Sequence, residues 1–211
     1  VLVALHHEQN IWKMCWLRSR MPITFLTFLV GTLALCGVWG FSGYFSKDEI
    51  LLTAYRQNLP LFYVGIFTSL LTAFYMGRLC LVAFLGKPRE AMVEHAHENG
   101  PVILFPLCAL AILALIGGWN LVGIGHYLDH FGGFNGQVEP EGCAGAQMVL
   151  FVLPFAGLGL AWAFYRADKS VDPLETMTPR WLWSFLTSKF RFDELYDVLV
   201  RYVQGGVAEI L

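Results

Sequence analysis

The chain has 211 residues, 56% of them hydrophobic and only 14% charged, with a formal net charge of −2. Soluble domains average about a quarter charged residues, so this composition excludes an ordinary soluble domain and points to a membrane protein. The small net charge argues against a nucleic-acid partner. Five cysteines (Cys15, Cys36, Cys80, Cys108, Cys143) with no CxxC pairing argue against a disulfide framework, a zinc site or an iron–sulfur site.

The chain opens on an apolar run, Val1 to Leu5, that reads as the tail of a preceding helix, so a piece of a longer protein is expected. His6-His7-Glu8 follows at once. Neighbouring histidines on a helix point in different directions, so this reads as a helix-end or loop cluster and not as a metal site. His7 and Glu8 stay as accessory candidates for proton transfer.

Four segments are long and apolar enough to cross a hydrocarbon core, which needs about 20 residues: roughly 22–45, 59–85, 101–120 and 146–165. From Met21 to Ser46 the ionisable side chains are Cys36 and Tyr44 alone, and then Lys47, Asp48 and Glu49 arrive together. Each charge at membrane depth costs about 2.5–3.5 kcal/mol on lenient insertion scales, and chains that keep charges there use them to move ions or protons. Gly37, Gly40 and Gly43 just ahead predict an unwound stretch around residues 38–45, which is tolerated where protein or water covers the bare backbone.

Lys47 is the first candidate. A partly dehydrated amine finds its charged form disfavoured, while the adjacent carboxylate of Asp48 favours it, and that competition suits a proton site. The plainer reading makes Lys47, Asp48 and Glu49 the start of a second helical piece in the headgroup zone, with Ser46 as its N-cap. In the second span, Arg78 sits close to one end, where a long side chain can snorkel. His95-Ala96-His97-Glu98 lacks helical metal-pair spacing and reads as a solvated loop. His126 and His130 have that spacing beside Asp129, but one pair in a Gly-rich loop is weak evidence for zinc. Gly157-Leu158-Gly159 lies in an apolar span without strand–turn–helix context, so it is assigned to helix packing.

The basic residues order the topology. Lys13, Arg18 and Arg20 precede the first span, Lys87 and Arg89 follow the second, and Arg166, Lys169, Arg180, Lys189 and Arg191 follow the fourth. An even number of spans separates these clusters, so all fall on one side, the cytoplasm by the positive-inside rule. The loop 121–145 has no Lys or Arg and falls on the periplasmic side. Beyond a polar linker broken by Pro173, the tail alternates at helical period. Leu182, Phe185 and Leu186 form one stripe and Leu195, Val198, Leu199 and Tyr202 another, which suits an interfacial amphipathic helix. The expected fold is therefore all-α: a polytopic membrane bundle of four transmembrane spans, the first discontinuous, with a C-terminal amphipathic interfacial helix.

Four motifs carry a family resemblance. His7-Glu8-Gln9-Asn10-Ile11-Trp12-Lys13-Met14 resembles the segment HEQ(N/D)IxKM, and Phe41 to Leu51 (FSGYFSKDEIL) resembles FSGFFSKDEIL. His97-Glu98 with Pro106-Leu107 follows HESPxxxxxPL, and Phe192 to Asp197 follows FDELYD. In order along nearly the whole chain, these resemble the C-terminal third of the large antiporter-like subunits (the subunit L family) of proton-pumping NADH:quinone oxidoreductase, respiratory complex I. The resemblance implies that the first span runs on to about Tyr55, with Lys47 in a broken helix on the proton path and Asp48 as its partner. It divides the chain into the end of a preceding helix and a cytoplasmic loop (1–20), a four-span membrane region (21–166), and a linker with the start of a lateral amphipathic helix (167–211). It implies a bacterial inner-membrane location beside other complex I membrane subunits, with NADH, FMN, iron–sulfur clusters and quinone bound by partner subunits and no cofactor or metal in this chain. Departures are Trp39-Gly40 where the family usually has Pro-Pro, Cys15-Trp16 for Gly-Gly, and Asn99-Gly100 for Ser-Pro. Two alternatives stay open: a subunit of a cation/proton antiporter or membrane-bound hydrogenase, and a membrane scaffold without a relay.

Overall fold

A computed structural model describes residue 5 and residues 10–86, 96–119, 144–166 and 172–210, the last with side chains up to 202. Among these residues the structure is all helical. Two units separate at Asp168, the first carrying the apolar helices and the second the amphipathic tail.

In the first unit a short helix α1 (Leu17–Arg20) follows Trp16, which holds the left-handed conformation at φ 71°. This is the second residue of the Cys15-Trp16 pair, where the resembled motif has glycines that would take such a φ without strain. Helix α2 (Pro22–Cys36) starts with proline at N1, where a missing N–H costs nothing, but its N-cap, Met21, has no side-chain acceptor. Glu98 supplies one from 74 and 75 residues away. Its carboxylate accepts from the N–H of Ile23 (3.1 Å), the N–H of Thr24 (3.2 Å) and the Thr24 hydroxyl. A carboxylate there meets both the bare N–H groups and the positive end of the helix dipole. The solvated-loop reading of residues 95–98 is thus corrected at Glu98, while His97 is exposed. The same end of the unit is closed by Leu5, Met14, Leu17, Met21, Phe84 and Ala96, with Phe25 and Phe28 packed on Phe84.

Helix α2 stops at Gly37. At φ 79° this residue lets its own N–H reach Ala34 O and the Val38 N–H reach Leu33 O, both at 3.0 Å, a closure that needs a left-handed residue. Gly40 is left-handed too (φ 93°), and its carbonyl accepts from the indole N–H of Trp119 at 3.0 Å. Helix α3 (Ser42–Gln57) then begins. The break is therefore at residues 37–41, earlier than the stretch 38–45, and the second piece reaches Gln57 where the resemblance implied Tyr55. Ser46 is no N-cap. It lies inside α3 and donates to Gly43 O at 3.3 Å, and Phe41 holds the cap position.

Asn58 caps helix α4 (Leu59–Cys80), accepting from the Leu61 N–H at 3.2 Å. A π turn, Leu81–Leu85, extends α4, so that Leu59–Leu85 forms a continuous, mostly apolar helix of 27 residues, with Arg78 as its one charged side chain. Helix α5 (Pro101–Ile116) has no buried side chain within this unit. Helix α6 (Ala144–Tyr165) packs on α4 through small residues. A Cβ on Gly157 would lie 2.5 Å from the Ala73 Cβ, and one on Gly77 would lie 2.8 Å from the Ala161 Cβ. Ala73 and Gly77 on α4 face Gly157 and Ala161 on α6, the small-xxx-small pattern that lets membrane helices approach closely. Leu59–Leu85 and Ala144–Tyr165 are long and apolar enough to cross a membrane, whereas Pro22–Cys36 and Pro101–Ile116 are shorter apolar helices.

In the second unit the linker is not wholly irregular. Asp172 caps a single turn, α7 (Pro173–Met177), accepting from the Leu174 N–H at 3.0 Å. Helices α8 (Arg180–Thr187) and α9 (Phe192–Ile210) follow. Between them Lys189, Phe190 and Arg191 all have positive φ (52°, 58° and 56°), so the expected tail helix is two helices. Trp181, Phe185 and Leu186 of α8, and Leu195, Val198 and Leu199 of α9, are exposed within the chain.

Candidate functional site

The site lies where α2 stops and α3 crosses it. The last carbonyls of a helix have no donor within it, and the end of α2 carries partial negative charge. Lys47, six residues into α3, reaches back across the break, and its ammonium donates to the carbonyl of Leu35. The aliphatic part of Lys47 runs over Gly37, so closely that a Cβ there would lie 3.2 Å from Lys47 Cδ. Gly37 thus serves both the left-handed turn and the passage of the lysine. Gly43 has a different task. A Cβ on it would lie 1.9 Å from Ala34 O, so only glycine lets the two half-helices cross here.

Asp48 is half-buried, and its Oδ1 is fully covered yet receives no hydrogen bond from the described residues. Successive residues on a helix point about 100° apart, and no ion pair joins Lys47 to Asp48 among the described residues. Both side chains instead line one cavity of about 20 Å³, with Cys36, Tyr44 and Ser69. An amine on a helix-end carbonyl and a carboxylate with a bare oxygen, sharing one partly open space between helices, can hold and pass a proton. On the other side of the broken helix, a groove of about 700 Å³ runs between α2 and α5, lined by Thr24, Thr27, Thr32 and Leu35.

The accessory candidates do not converge here. Glu49 is exposed on α3. Arg78 lies nine residues along α4 from Ser69, about 13 Å of helical rise, with its guanidinium over the Tyr165 ring at 5.5 Å. His7 and Glu8 lie outside the described residues, as do His95, His126, Asp129, His130 and Cys143.

Comparison with known proteins addresses this same region. A family model described as "NADH:quinone oxidoreductase/Mrp antiporter, TM" matches residues 1–72, which include the broken helix and both candidate residues. NADH-quinone oxidoreductase subunit L of Rickettsia bellii is 32% identical over 212 residues, covering 92% of this chain and 32% of its own length. The subunit L of Rickettsia typhi is 38% identical over 225 residues, with 92% and 34% covered. NAD(P)H-quinone oxidoreductase chain 5 of a Picosynechococcus species is 31% identical over 219 residues, with 90% and 33% covered. The chain belongs to the antiporter-like subunit family of the NADH:quinone oxidoreductases. It spans about a third of the length of the curated relatives it matches.

Motif reading of this antiporter-like chain found the two ionisable residues but not their surroundings. The acceptor for Lys47 is a backbone carbonyl, which has no signature in the sequence. Ser69 is a single hydroxyl in an apolar span, and nothing in the sequence around Trp119 announces that its indole meets Gly40 O. One signal was available. Pro154, inside the last apolar span, marks a carbonyl deprived of its helical donor, and Pro154 and that carbonyl's residue, Leu150, both line the cavity.

Proposed function

We propose that this chain is the C-terminal part of a proton-translocating membrane subunit of a NADH:quinone oxidoreductase, and that Lys47 and Asp48 form one element of its proton path. The observation that carries this reading is the ammonium of Lys47 held on Leu35 O across a helix break, beside a cavity it shares with Asp48. Quinone reduction in other subunits drives the movement, and this chain supplies no redox group. NADH, FMN, iron–sulfur clusters and quinone belong to those partners, and other antiporter-like subunits and the lipid bilayer are its neighbours.

In this reading the chain crosses the bilayer four times. Helices α2 and α3, at 15 and 16 residues, are each about 22–24 Å long, too short alone for a core of about 30 Å. Together they make one discontinuous span. Residues 59–85, 101–120 and 144–165 make the other three. The basic clusters face the cytoplasm, residues 121–145 face the periplasm, and the amphipathic tail lies along the cytoplasmic interface.

The test uses the full-length subunit in its assembled complex, in sealed membrane vesicles. Lys47→Ala is expected to abolish the pH gradient formed per NADH oxidised while assembly stays normal. An unchanged gradient with normal assembly would leave only a structural scaffold. The matching family description also names the Mrp antiporter, which favours cation/proton exchange as the second reading. Proton exchange driven by a sodium gradient without NADH would support that reading instead.

A further inference from the structure

Lys47 and Asp48 face one cavity without forming an ion pair, so a proton moving between them needs an intermediary. The cavity measures about 20 Å³. A water molecule needs about 10–15 Å³ and two to four polar partners, so this partly open space has room for a single water between the two side chains.

The partners are in place on three helices. Asp48 Oδ1, on α3, is buried and takes no hydrogen bond from the described residues. Tyr44 stands four residues before Asp48, hence on the same face of α3, and lines the cavity. Ser69, on α4, carries a hydroxyl and also lines the space. On α6, Pro154 has no N–H to give the Leu150 carbonyl, and both residues border the space. Lys47 retains two further N–H groups beyond the one on Leu35 O.

We propose that this cavity is a single-water site, held by Ser69, Tyr44 and the Leu150 carbonyl, through which Lys47 and Asp48 exchange a proton. The inference rests on the relay reading of Lys47 and Asp48 given above. The ammonium passes a proton to the water as the water passes one to the carboxylate. A neutral amine and a carboxylic acid result, and the water is unchanged. Ser69 and Tyr44 are positioning residues, since they orient the water and carry no net proton themselves. The motif that this segment resembles has phenylalanine where Tyr44 stands.

The experiment compares Ser69→Thr with Ser69→Val in the full-length subunit of the assembled complex. The two replacements share a shape and differ by one hydroxyl. Proton uptake per NADH oxidised and its solvent deuterium isotope effect are read in sealed vesicles. Ser69→Thr is expected to keep pumping, whereas Ser69→Val lowers its rate about tenfold and enlarges the isotope effect. Tyr44→Phe, which removes a single oxygen, is expected to lower it about two- to threefold, and it keeps the test open should the larger residues disturb packing. Equal pumping by the Thr and Val variants, with Tyr44→Phe at the wild-type rate and Lys47→Ala inactive, overturns the water site and leaves the relay standing. Normal pumping by Lys47→Ala overturns both.

Discussion

The Lys47 ammonium donates to the carbonyl of Leu35, twelve residues earlier and on the far side of a helix break. That bond does structural work as well as positioning the amine, because it covers a helix-end carbonyl that has no other donor in α2. The two roles separate in Lys47→Arg. A guanidinium keeps the charge and the donor but does not release its proton in proteins. The variant is expected to assemble normally and to lose at least about tenfold in proton pumping, read as the pH gradient per NADH oxidised. Retained pumping by the arginine variant would assign Lys47 a structural role alone.

The glycines around the break make a graded prediction. Gly43→Ala puts a methyl into Ala34 O, a backbone atom that cannot step aside, so the variant is expected to prevent assembly of the subunit. Gly37→Ala strains a left-handed residue and presses on Lys47 Cδ, at a cost of about 1–2 kcal/mol. It should assemble with a lower melting temperature in detergent. Gly31→Ala, inside α2 with nothing within 4 Å of the added atom, is expected to be neutral or to stabilise by about 0.5–1 kcal/mol. Thermal unfolding of the three side by side checks the order.

Gly37, Gly40 and Gly43 also show how much of the fold was legible beforehand. A long and mostly apolar run has no competing interpretation, so the expected 59–85 coincides with Leu59–Leu85, and 146–165 falls within Ala144–Tyr165. A run of spaced glycines announced a break but not its register. Composition does not distinguish a glycine that turns the chain (Gly37, Gly40) from one that lets two helices cross (Gly43). Placing the break late made Ser46 look like a cap. The candidate site was legible to the extent that it is charged. Its acceptor on Leu35, the Ser69 hydroxyl and the hold of Trp119 on Gly40 O come from tertiary contact between residues with no local pattern. The tail's stripes were legible as periodicity, but the break at residues 189–191 was not. Lys189, Phe190 and Arg191 are not glycine, and positive φ is uncommon for such side chains.

The packing of α6 on α4 is testable by compensation. Gly157→Ala drives a methyl to 2.5 Å from the Ala73 Cβ, an overpacking expected to cost about 1–3 kcal/mol. Removing the facing methyl in Ala73→Gly should restore part of that loss in the double variant, because the two sites are in direct contact, while the Leu70 carbonyl oxygen, 2.9 Å from the added methyl, keeps the rest. Gly159→Ala on the same helix, with no atom within 4 Å of the added one, serves as the control. Simple addition of the two single effects would show that α4 and α6 do not meet at this register.

The last prediction concerns Glu98, which ties the start of α5 to the start of α2. Its carboxylate takes two backbone N–H groups and the Thr24 hydroxyl, and Met21 offers no cap of its own. Glu98→Ala leaves these donors partly buried without an acceptor, at about 1–3 kcal/mol. Glu98→Gln keeps one acceptor oxygen and loses the charge that favours a helix N-terminus, so it should cost less, about 0.5–1 kcal/mol. Thr24→Val removes the hydroxyl partner, and its effect is expected to shrink once Glu98 is alanine. Melting temperatures for the Thr24 and Glu98 double-mutant cycle give the coupling. A cycle with no coupling, together with an alanine variant as stable as the parent, would show that the loop before α5 does not hold the start of α2. The broken helix would then need another anchor at the end opposite Lys47.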